Sequence, residues 1–274
     1  MANPRTRAAR RRRLGQHFLR DRRVMEKILA AAQLSPEDRV FEVGAGQGAL
    51  TRELAARARA VVALEVDRKL AEGLAPLVGE FPNIRLLCCD ARRFDLSQLP
   101  SPPPWKLVAN LPYRGGAQIL LRCLDRPGLF SRLVVTLQRE VAERLCAAPG
   151  EKAYGSLSLH AQYRARIQVV AHVPPGAFQP PPEVDSSIVL LLPRARPPVE
   201  VEDEGLFFSL LRSSFAHRRK TLLNNLKALR NAPFEAVSWE EVLEASGIDG
   251  SLRGEALSLA DFARLAATLS RRRG

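Results

Sequence analysis

Residues 39–65 read RVFEVGAGQGALTRELAARARAVVALE, and this stretch decides the fold. An apolar run of strand length ends in the turn GAGQG at residues 44–48, a stretch of helical composition follows, and a second apolar run ends at Glu65. A strand, a turn, a helix and a second strand in this order form a βαβ unit, which is built on parallel strands. The glycines suit a turn that a ligand approaches closely, because they carry no side chain and tolerate positive φ.

The alternation of strands and helices continues on both sides of this stretch. We predict strands over residues 39–43, 60–65, 84–89, 105–109, 133–138, 167–173 and 187–192, and helices over residues 22–34, 49–58, 68–78, 117–125 and 139–147. The first five strands alternate with helices, which indicates a parallel, doubly wound α/β sheet. The last two have no evident helix between them, so we expect an antiparallel pair at one edge of the sheet.

A change of composition near residue 195 predicts a second, smaller domain. Residues 193–204 are rich in proline and charge. Beyond them the apolar residues recur at helical spacing. We therefore predict a basic flexible arm over residues 1–13, an α/β domain over residues 14–195 and a small all-α domain over residues 196–274.

The charge of the chain points to a polyanionic partner. The 274 residues carry a formal net charge of +13 at pH 7, with arginines concentrated in residues 1–23 and again in residues 212–220. Basic clusters of this kind are typical of proteins that bind nucleic acid. The hydrophobic fraction of 46% separates the chain from disordered sequences, which are poorer in apolar residues.

Other features of the sequence disfavour membrane, secreted and metal-binding proteins. No apolar window approaches the roughly 18 residues of a membrane span, and we expect no secretory signal. The four cysteines form no C-x-x-C pair and the four histidines are scattered. We therefore expect no metal site, and reduced thiols in a cytoplasmic protein.

Polar residues follow three of the predicted strands and indicate a nucleoside site. Gly44 and Gly46 lie in the turn after the first strand, Glu65 ends the second, and Asp90 closes the third. Parallel strands that follow one another in a doubly wound sheet end at one edge, where such folds bind ligands. The Glu65 carboxylate could accept hydrogen bonds from ribose hydroxyls, and Asp90 could meet an adenine edge. This pattern alone does not choose between NAD and S-adenosylmethionine.

The tetrapeptide Asn110-Leu111-Pro112-Tyr113, after the fourth strand, favours methyl transfer. An amide oxygen and a nearby backbone carbonyl can accept both hydrogens of an exocyclic amine and leave its lone pair free for attack on a methyl group. Pro112 stiffens the turn, and the Tyr113 ring offers a face on which a base can stack. Phe178, in the proline-rich segment 178–186, is the second stacking candidate.

Taken together, these motifs resemble the KsgA (RsmA) family of small-subunit rRNA adenine N6,N6-dimethyltransferases. The resemblance extends from residue 14 nearly to the end of the chain. It is carried by LGQHFL at 14–19, EVGAGQG at 42–48, NLPY at 110–113, QRE at 138–140, YG at 154–155, FQPPPEVDS at 178–186, RRKTL at 218–222, GID at 247–249 and RGEALS at 253–258. One position and one short stretch depart from the family, which often has Asn at position 17 and a polar stretch in place of residues 114–117.

The resemblance implies a Rossmann-like methyltransferase domain with a small helical domain that serves RNA binding. It implies S-adenosylmethionine as methyl donor and no metal. The substrate would be two adjacent adenosines in the 3′-terminal hairpin loop of 16S rRNA, in the immature small ribosomal subunit. We expect a cytoplasmic monomer that acts by direct in-line transfer. The donor contacts implied by the resemblance are His17, Leu19, Gly44, Glu65, Asp90 and Asn110.

Three alternatives remain open. An Erm-type methylase of 23S rRNA would share the donor site, although Leu111 and the motifs at 218–222 and 253–258 favour the first assignment. A non-catalytic nucleic-acid-binding relative is disfavoured because Glu65 and Asp90 are intact. An NAD(P)-dependent oxidoreductase would need an acid–base pair such as Tyr-x-x-x-Lys, which the sequence lacks.

Overall fold

The computed structural model describes residues 16–100, 102–229 and 237–272. The predicted basic arm over residues 1–13 lies outside the described residues. The contacts divide the chain into two compact units, of which the first comprises residues 1–142 with 165–195 and the second residues 143–164 with 196–274. No helix in the described part of the chain is long and apolar enough to cross a membrane.

The described residues of the first unit form nine strands. They are β1 (Phe18–Leu19), β2 (Arg39–Val43), β3 (Ala60–Glu65), β4 (Ile84–Cys88), β5 (Trp105–Asn110), β6 (Phe130–Gln138), β7 (Ala165–Val173), β8 (Phe178–Gln179) and β9 (Ser186–Pro193). The helices are α1 (Arg22–Ala32), α2 (Ala49–Ala55), α3 (Arg68–Gly73), α4 (Ala75–Glu80), α5 (Gly116–Leu124) and α6 (Arg139–Cys146), and single 3₁₀ turns lie at Leu96–Gln98 and Pro175–Ala177. Helix α6 crosses the division between the units.

Seven of the strands form one sheet in the order β4-β3-β2-β5-β6-β9-β7. The pairs from β4 to β6 are parallel, whereas β9 runs antiparallel to both β6 and β7. The predicted α/β fold and its antiparallel edge pair are therefore confirmed. The order reverses at β2, so that β3 and β5 flank it and the carboxyl ends of β2 to β5 meet at one edge.

The core of this sheet explains why its strands read as continuous apolar runs. Val40, Val61, Val108 and Val134 are fully buried and belong to one hydrophobic cluster. Parallel strands covered on both faces have no solvent-facing side chains and so lose the alternation of an exposed strand.

A separate two-stranded sheet was not predicted. Strand β1 pairs antiparallel with β8, with Phe18 opposite Gln179 and Leu19 opposite Phe178. Two-residue strands carry no periodic signal, which is why the sequence does not reveal them. This pairing brings the segment before α1 to the proline-rich segment near residue 180, and it matters for the site described below.

The second unit is helical. Its helices are α7 (Ser156–Arg164), α8 (Glu204–Ser214), α9 (Leu222–Leu226), α10 (Trp239–Ala245) and α11 (Leu259–Arg271), with a 3₁₀ turn at Gly254–Ala256. They enclose a cluster that includes the fully buried Phe207, Leu210, Phe262 and Leu265.

Helix α7 belongs to this second unit, although the sequence analysis placed a single boundary at residue 195. The Tyr163 ring lies 5.1 Å from the Phe207 ring and 5.3 Å from the Phe208 ring, between centroids. Arg164 forms an ion pair with Glu204, with Nη2 2.6 Å from Oε2. The helical unit is therefore discontinuous in sequence, because a segment inserted before β7 completes its core.

The two faces of β9 predict a contrast in stability. Leu191 is fully buried whereas the adjacent Leu192 is 36% exposed. We expect Leu191→Ala to lower the free energy of unfolding by about 2–5 kcal/mol, because the buried site loses apolar contacts and retains a cavity. Leu192→Ala, the matched control, should cost less than about 1 kcal/mol. Urea unfolding of both variants measures the difference, and equal losses would contradict the orientation assigned to this strand.

Candidate functional site

A pocket of about 270 Å³ opens at the carboxyl ends of β2 to β5. Its lining includes ten residues singled out from the sequence, namely His17, Leu19, Gly44, Gly46, Glu65, Asp90, Asn110, Leu111, Pro112 and Tyr113. The converging strand ends explain how positions more than 90 residues apart in the chain, such as His17 and Asn110, share one wall.

The glycine-rich turn forms the pocket wall beside β1. Gly44 and Gly46 have φ values of 80° and 59°, in the left-handed region that favours glycine. A Cβ at Gly46 would lie only 2.9 Å from Cδ1 of Phe18. The turn therefore needs glycine at position 46 for two reasons, the backbone conformation and the close approach of a ring from β1.

Glu65 occupies a buried position behind this turn, with 3% of its surface exposed. Its Oε2 accepts a hydrogen bond from the Gly46 backbone N–H and its Oε1 accepts one from the Asp67 N–H, each at 2.8 Å. Burial raises the pKa of Glu65 above its ordinary value, while these two donors oppose the rise. Each carboxylate oxygen has a second lone pair, so the group can still accept from a ligand.

Asp90 lies after β4 and is held by a neighbouring arginine. Arg92 donates from its backbone N–H to Oδ1 at 2.9 Å and from Nη2 to Oδ2 at 2.6 Å. The bonds from Arg92 lower the pKa of Asp90. Arg122 of α5 donates to the backbone carbonyls of Ala91 and Phe94, both at 2.9 Å, so the turn after Asp90 is fastened to the helix that follows Tyr113.

Glycine also has a packing role in the segment that departs from the family pattern. Gly115 has a φ of 84° and caps the start of α5. A Cβ there would lie 3.1 Å from Cδ of Arg92. The residues 114–117, which differ from the family pattern, therefore lie beside Arg92 at the pocket edge.

Asn110 has its amide oriented by a single bond. Its Nδ2 donates to the backbone carbonyl of His17 at 2.8 Å. Its Oδ1 is buried and has no hydrogen-bond partner among the described residues. A buried acceptor without a partner is costly, so a ligand that donates a hydrogen bond here would be strongly favoured. The amide orientation leaves an acceptor, and not a donor, for that ligand.

Tyr113 is half-buried and is held at two points. Its hydroxyl shares a hydrogen bond of 2.5 Å with Oγ of the buried Ser186. Its ring lies against the His17 imidazole, with centroids 5.0 Å apart and an interplanar angle of 35°. Burial raises the pKa of Tyr113, so the hydroxyl stays protonated near neutral pH.

Phe178 is buried in the structure, whereas the sequence predicted a stacking surface opposite Tyr113. It is 3% exposed, sits in β8 opposite Leu19, and belongs to the apolar core of the first unit. It does not line the pocket. The ring is buried because the short β1–β8 sheet turns it inwards, so in this conformation it offers no free face to a base.

Glu42 lines the pocket but received no role in the sequence analysis. It is 1% exposed, and its Oε2 has no hydrogen-bond partner in the described part of the chain. Burial raises the pKa of Glu42 to about 8, and the nearby Glu65 carboxylate adds to the rise. The signal available in the sequence was an acidic residue inside an apolar strand, two positions before Gly44.

A metal-binding arrangement is not found among the described residues, which contain no group of three or more His, Cys, Asp and Glu side chains placed to hold an ion. The site instead combines buried carboxylates, an unpaired amide oxygen and an aromatic ring. These groups suit a neutral or cationic organic ligand with hydroxyl and amine donors.

Sequence comparison relates the chain to enzymes that modify ribosomal RNA. Residues 7–265 match the family described as ribosomal RNA adenine dimethylase. The chain is 45% identical to "Ribosomal RNA small subunit methyltransferase A" of Syntrophotalea carbinolica over 255 residues, covering 93% of this chain and 95% of that protein. It is 43% identical to the protein of the same name from Geobacillus kaustophilus over 263 residues, covering 94% and 90%.

Solved structures show the same relationship. A dimethyladenosine transferase from Plasmodium falciparum is similar with a TM-score of 0.77 and 25% identity, over 93% of this chain and 98% of that one. The 23S rRNA methyltransferase ErmE is similar with a TM-score of 0.66 and 30% identity, over 92% and 99%.

The buried Glu42 carboxyl predicts a pH-dependent stability. Its pKa rises from 4.5 in the unfolded chain to about 8 in the fold. The protonated form therefore stabilises the fold at low pH, and this contribution is lost as the pH rises towards 8. We expect Glu42→Gln, which cannot ionise, to gain stability relative to the parent by up to about 1.4 kcal/mol per pH unit across this window.

The measurement is the free energy of unfolding of the parent and of Glu42→Gln at about pH 5, 6, 7 and 8. These values span the range between the ordinary and the raised pKa of Glu42. Glu26→Gln is the matched control, because the Glu26 side chain is 63% exposed. Parallel pH profiles for the parent and Glu42→Gln would show that the carboxyl is ionised in the folded protein.

Proposed function

Because the chain belongs to the ribosomal RNA adenine dimethylase family, we propose that it methylates two adjacent adenosines in the 3′-terminal hairpin loop of 16S rRNA. The protein is an rRNA adenine dimethyltransferase. The proposal adds the target nucleotides, the methyl donor and the residues that bind each of them.

The observation that carries the proposal is the unpaired Oδ1 of Asn110 beside Tyr113. Adenine N6 bears two hydrogens, and a buried acceptor that lacks a partner would hold one of them. The Leu111 carbonyl is our candidate for the other. Hydrogen bonds from N6 to these two acceptors orient the amine so that its lone pair is less conjugated with the ring, and N6 becomes a better nucleophile. Tyr113 would stack on the adenine once the base is flipped out of the RNA stack.

The methyl donor we propose is S-adenosylmethionine, bound along the glycine-rich turn. The site suits it because Glu65 can accept from ribose hydroxyls and Asp90, which also lines the pocket, could meet an adenine edge. Gly44 and Gly46 let the donor approach the backbone closely, and Leu19 closes the pocket from β1. Glu42 adds a buried carboxyl with an unpaired oxygen, which could meet the ammonium of the methionine end.

The reaction then needs positioning more than proton transfer. When bound, S-adenosylmethionine supplies a methyl group on a sulfonium, which is a good leaving group. Asn110 and Tyr113 hold N6 in line with that methyl carbon. The N6–carbon bond forms as the carbon–sulfur bond breaks with its electron pair on sulfur, and the N6 proton then passes to water. Alignment of this kind can contribute several orders of magnitude in rate.

The helical unit is our candidate for additional RNA contacts. The loop after α8 exposes His217, Arg218, Arg219 and Lys220. Asn225, which is 2% exposed, donates from Nδ2 to the carbonyls of Ser214 and His217, both at 3.1 Å, and accepts from the His217 N–H at 3.0 Å. A buried amide that bonds the backbone at several points holds this basic loop in one conformation.

We further propose that the protein acts as a monomer on the immature small subunit in the cytoplasm. The similarity to ErmE keeps 23S rRNA as the second candidate substrate. The identity of 45% to a small-subunit enzyme, against 30% to ErmE, favours the first.

Replacement of Asn110 tests whether its unpaired Oδ1 holds the target adenine. We expect Asn110→Ala to bind RNA within a few-fold of the parent and to lose methyl transfer by about 100-fold or more, because N6 is no longer held in line. The measurement is transfer of labelled methyl groups to small subunits from a strain without its own dimethylase, with large subunits in parallel. Mapping of the methylated nucleotides identifies the target.

Gln168→Ala serves as the matched control, because it removes an exposed side-chain amide from β7 in the same unit. Near-parental turnover by Asn110→Ala would remove this residue from the adenine site. Methylation of large subunits alone would replace the 16S assignment with the 23S alternative.

The basic loop predicts a change in salt dependence. If Arg218 and Arg219 each neutralise a phosphate, the double variant Arg218→Ala/Arg219→Ala should flatten the slope of log affinity against log salt by about 1.5. Donor affinity should stay unchanged. Arg57→Ala/Arg68→Ala is the charge-matched control, because these arginines pair with Glu53 and Glu72 on α2 and α3. Equal slopes for the two double variants would exclude the loop from the RNA surface.

A further inference from the structure

His17 joins three parts of the site through three different groups. Its backbone carbonyl accepts from Nδ2 of Asn110 at 2.8 Å. Its Nδ1 lies 2.8 Å from the carbonyl oxygen of Pro180. Its imidazole ring lies 5.0 Å from the Tyr113 ring, at 35°. The first contact belongs to the backbone, whereas the other two belong to the side chain.

The side-chain contacts link His17 to groups that the proposed function assigns to the target base. The resemblance implied that His17 contacts the donor. In the structure one ring nitrogen is engaged by Pro180, at the start of the loop 180–186, and the ring itself is engaged by Tyr113. Since a carbonyl oxygen only accepts, Nδ1 must carry the hydrogen of this bond.

The side chain of Tyr113 is contacted at both of its ends. Ser186, where the loop 180–186 enters β9, bonds the Tyr113 hydroxyl. Pro180 begins the loop and bonds His17, whose ring contacts the Tyr113 ring. Tyr113 is therefore held at its hydroxyl through Ser186 and at its ring by His17. Loss of the imidazole would release the ring while the hydroxyl stays bonded.

We propose that His17 is a positioning residue for the target adenine: its imidazole fixes the Tyr113 ring and the start of the loop 180–186 in the orientation that receives the base. The inference rests on the proposed function and deepens it. A stacking surface that is already oriented loses less conformational freedom when it captures a base. The same orientation keeps N6 at Asn110, where a misplacement of about 1 Å can cost about 100-fold in rate.

Asn110 contacts the backbone of His17, whereas Tyr113 and Pro180 contact its side chain, so the role of the imidazole can be tested separately from the role of Asn110. A substitution at position 17 leaves the backbone carbonyl in place, so the amide of Asn110 keeps its partner. Effects of such a substitution on methyl transfer therefore report on the imidazole. They also distinguish the positioning role from a donor contact, because a donor contact changes the affinity for S-adenosylmethionine.

The first experiment compares His17→Ala and His17→Phe. Methyl transfer to small subunits gives kcat and KM, and calorimetry gives the affinity for S-adenosylmethionine. We expect His17→Ala to lower kcat/KM for the subunit by about tenfold or more and to change donor affinity by less than about threefold. His17→Phe keeps a ring beside Tyr113 but loses the bond to Pro180, so it should recover a large part of the loss.

The second experiment is a double-mutant cycle with Tyr113→Ala. If His17 acts through Tyr113, its removal should cost less than about threefold once the tyrosine ring is gone, because contacting residues that act together are not additive. His172→Ala is the matched control. Its Nδ1 also bonds a neighbour, Oγ of Ser187 at 3.1 Å, but it lies outside the pocket, so kcat/KM should stay within about twofold.

The possible outcomes distinguish failure of the positioning role of His17 from failure of the proposed function. Additive losses in the cycle, or a loss confined to donor affinity, would overturn the positioning role and leave the proposed function intact. Equal losses for His17→Ala and His17→Phe would also count against the ring contact. If the parent protein methylates neither subunit, the proposed function fails and this inference fails with it.

Discussion

The hydrogen bond from Asn110 Nδ2 to the His17 carbonyl oxygen is the contact on which the site depends. It joins the end of β5 to the segment that leads into β1. These two strands belong to different sheets and are not paired with each other. Because the amide donates here, its oxygen is the group left for a ligand. The pairing of β1 with β8 holds the His17 carbonyl in place, so the small sheet and the large one fix the amide jointly.

Around this bond the pocket is organised by buried polar groups that the fold leaves only partly satisfied. Glu65 is paired with two backbone donors, whereas Glu42 and Asn110 each retain an oxygen without a partner among the described residues. Such groups lower the stability of the free protein and favour a ligand that completes them. The glycine turn complements them, because it brings backbone and not side chains to the ligand. These groups suit the nucleoside-like ligand with hydroxyl and amine donors that the proposed function requires.

Much of this could be predicted because the signals are local. The strands β3 and β5 end where their apolar runs end, and Glu65 and Asn110 are their last residues. Phe178 is more deeply buried than its sequence context predicts, for the opposite reason. Its neighbours in sequence suggest an exposed proline-rich loop, but its burial depends on Leu19, which lies far away in the chain. Helix α7 was missed as part of the helical unit because its packing partners, Phe207 and Phe208, lie on α8.

The sequence by itself determined the parallel sheet, the edge at which the ligand groups meet and the chemical types gathered there, because apolar periodicity and strand-end residues are properties of short segments. Only the tertiary structure decided how those groups are used. It set the direction of the Asn110 amide, turned His17 towards Tyr113 and buried Glu42 until its pKa rose to about 8. Each of these depends on contacts between distant segments and on the exclusion of water, neither of which is encoded in the spacing of neighbouring residues.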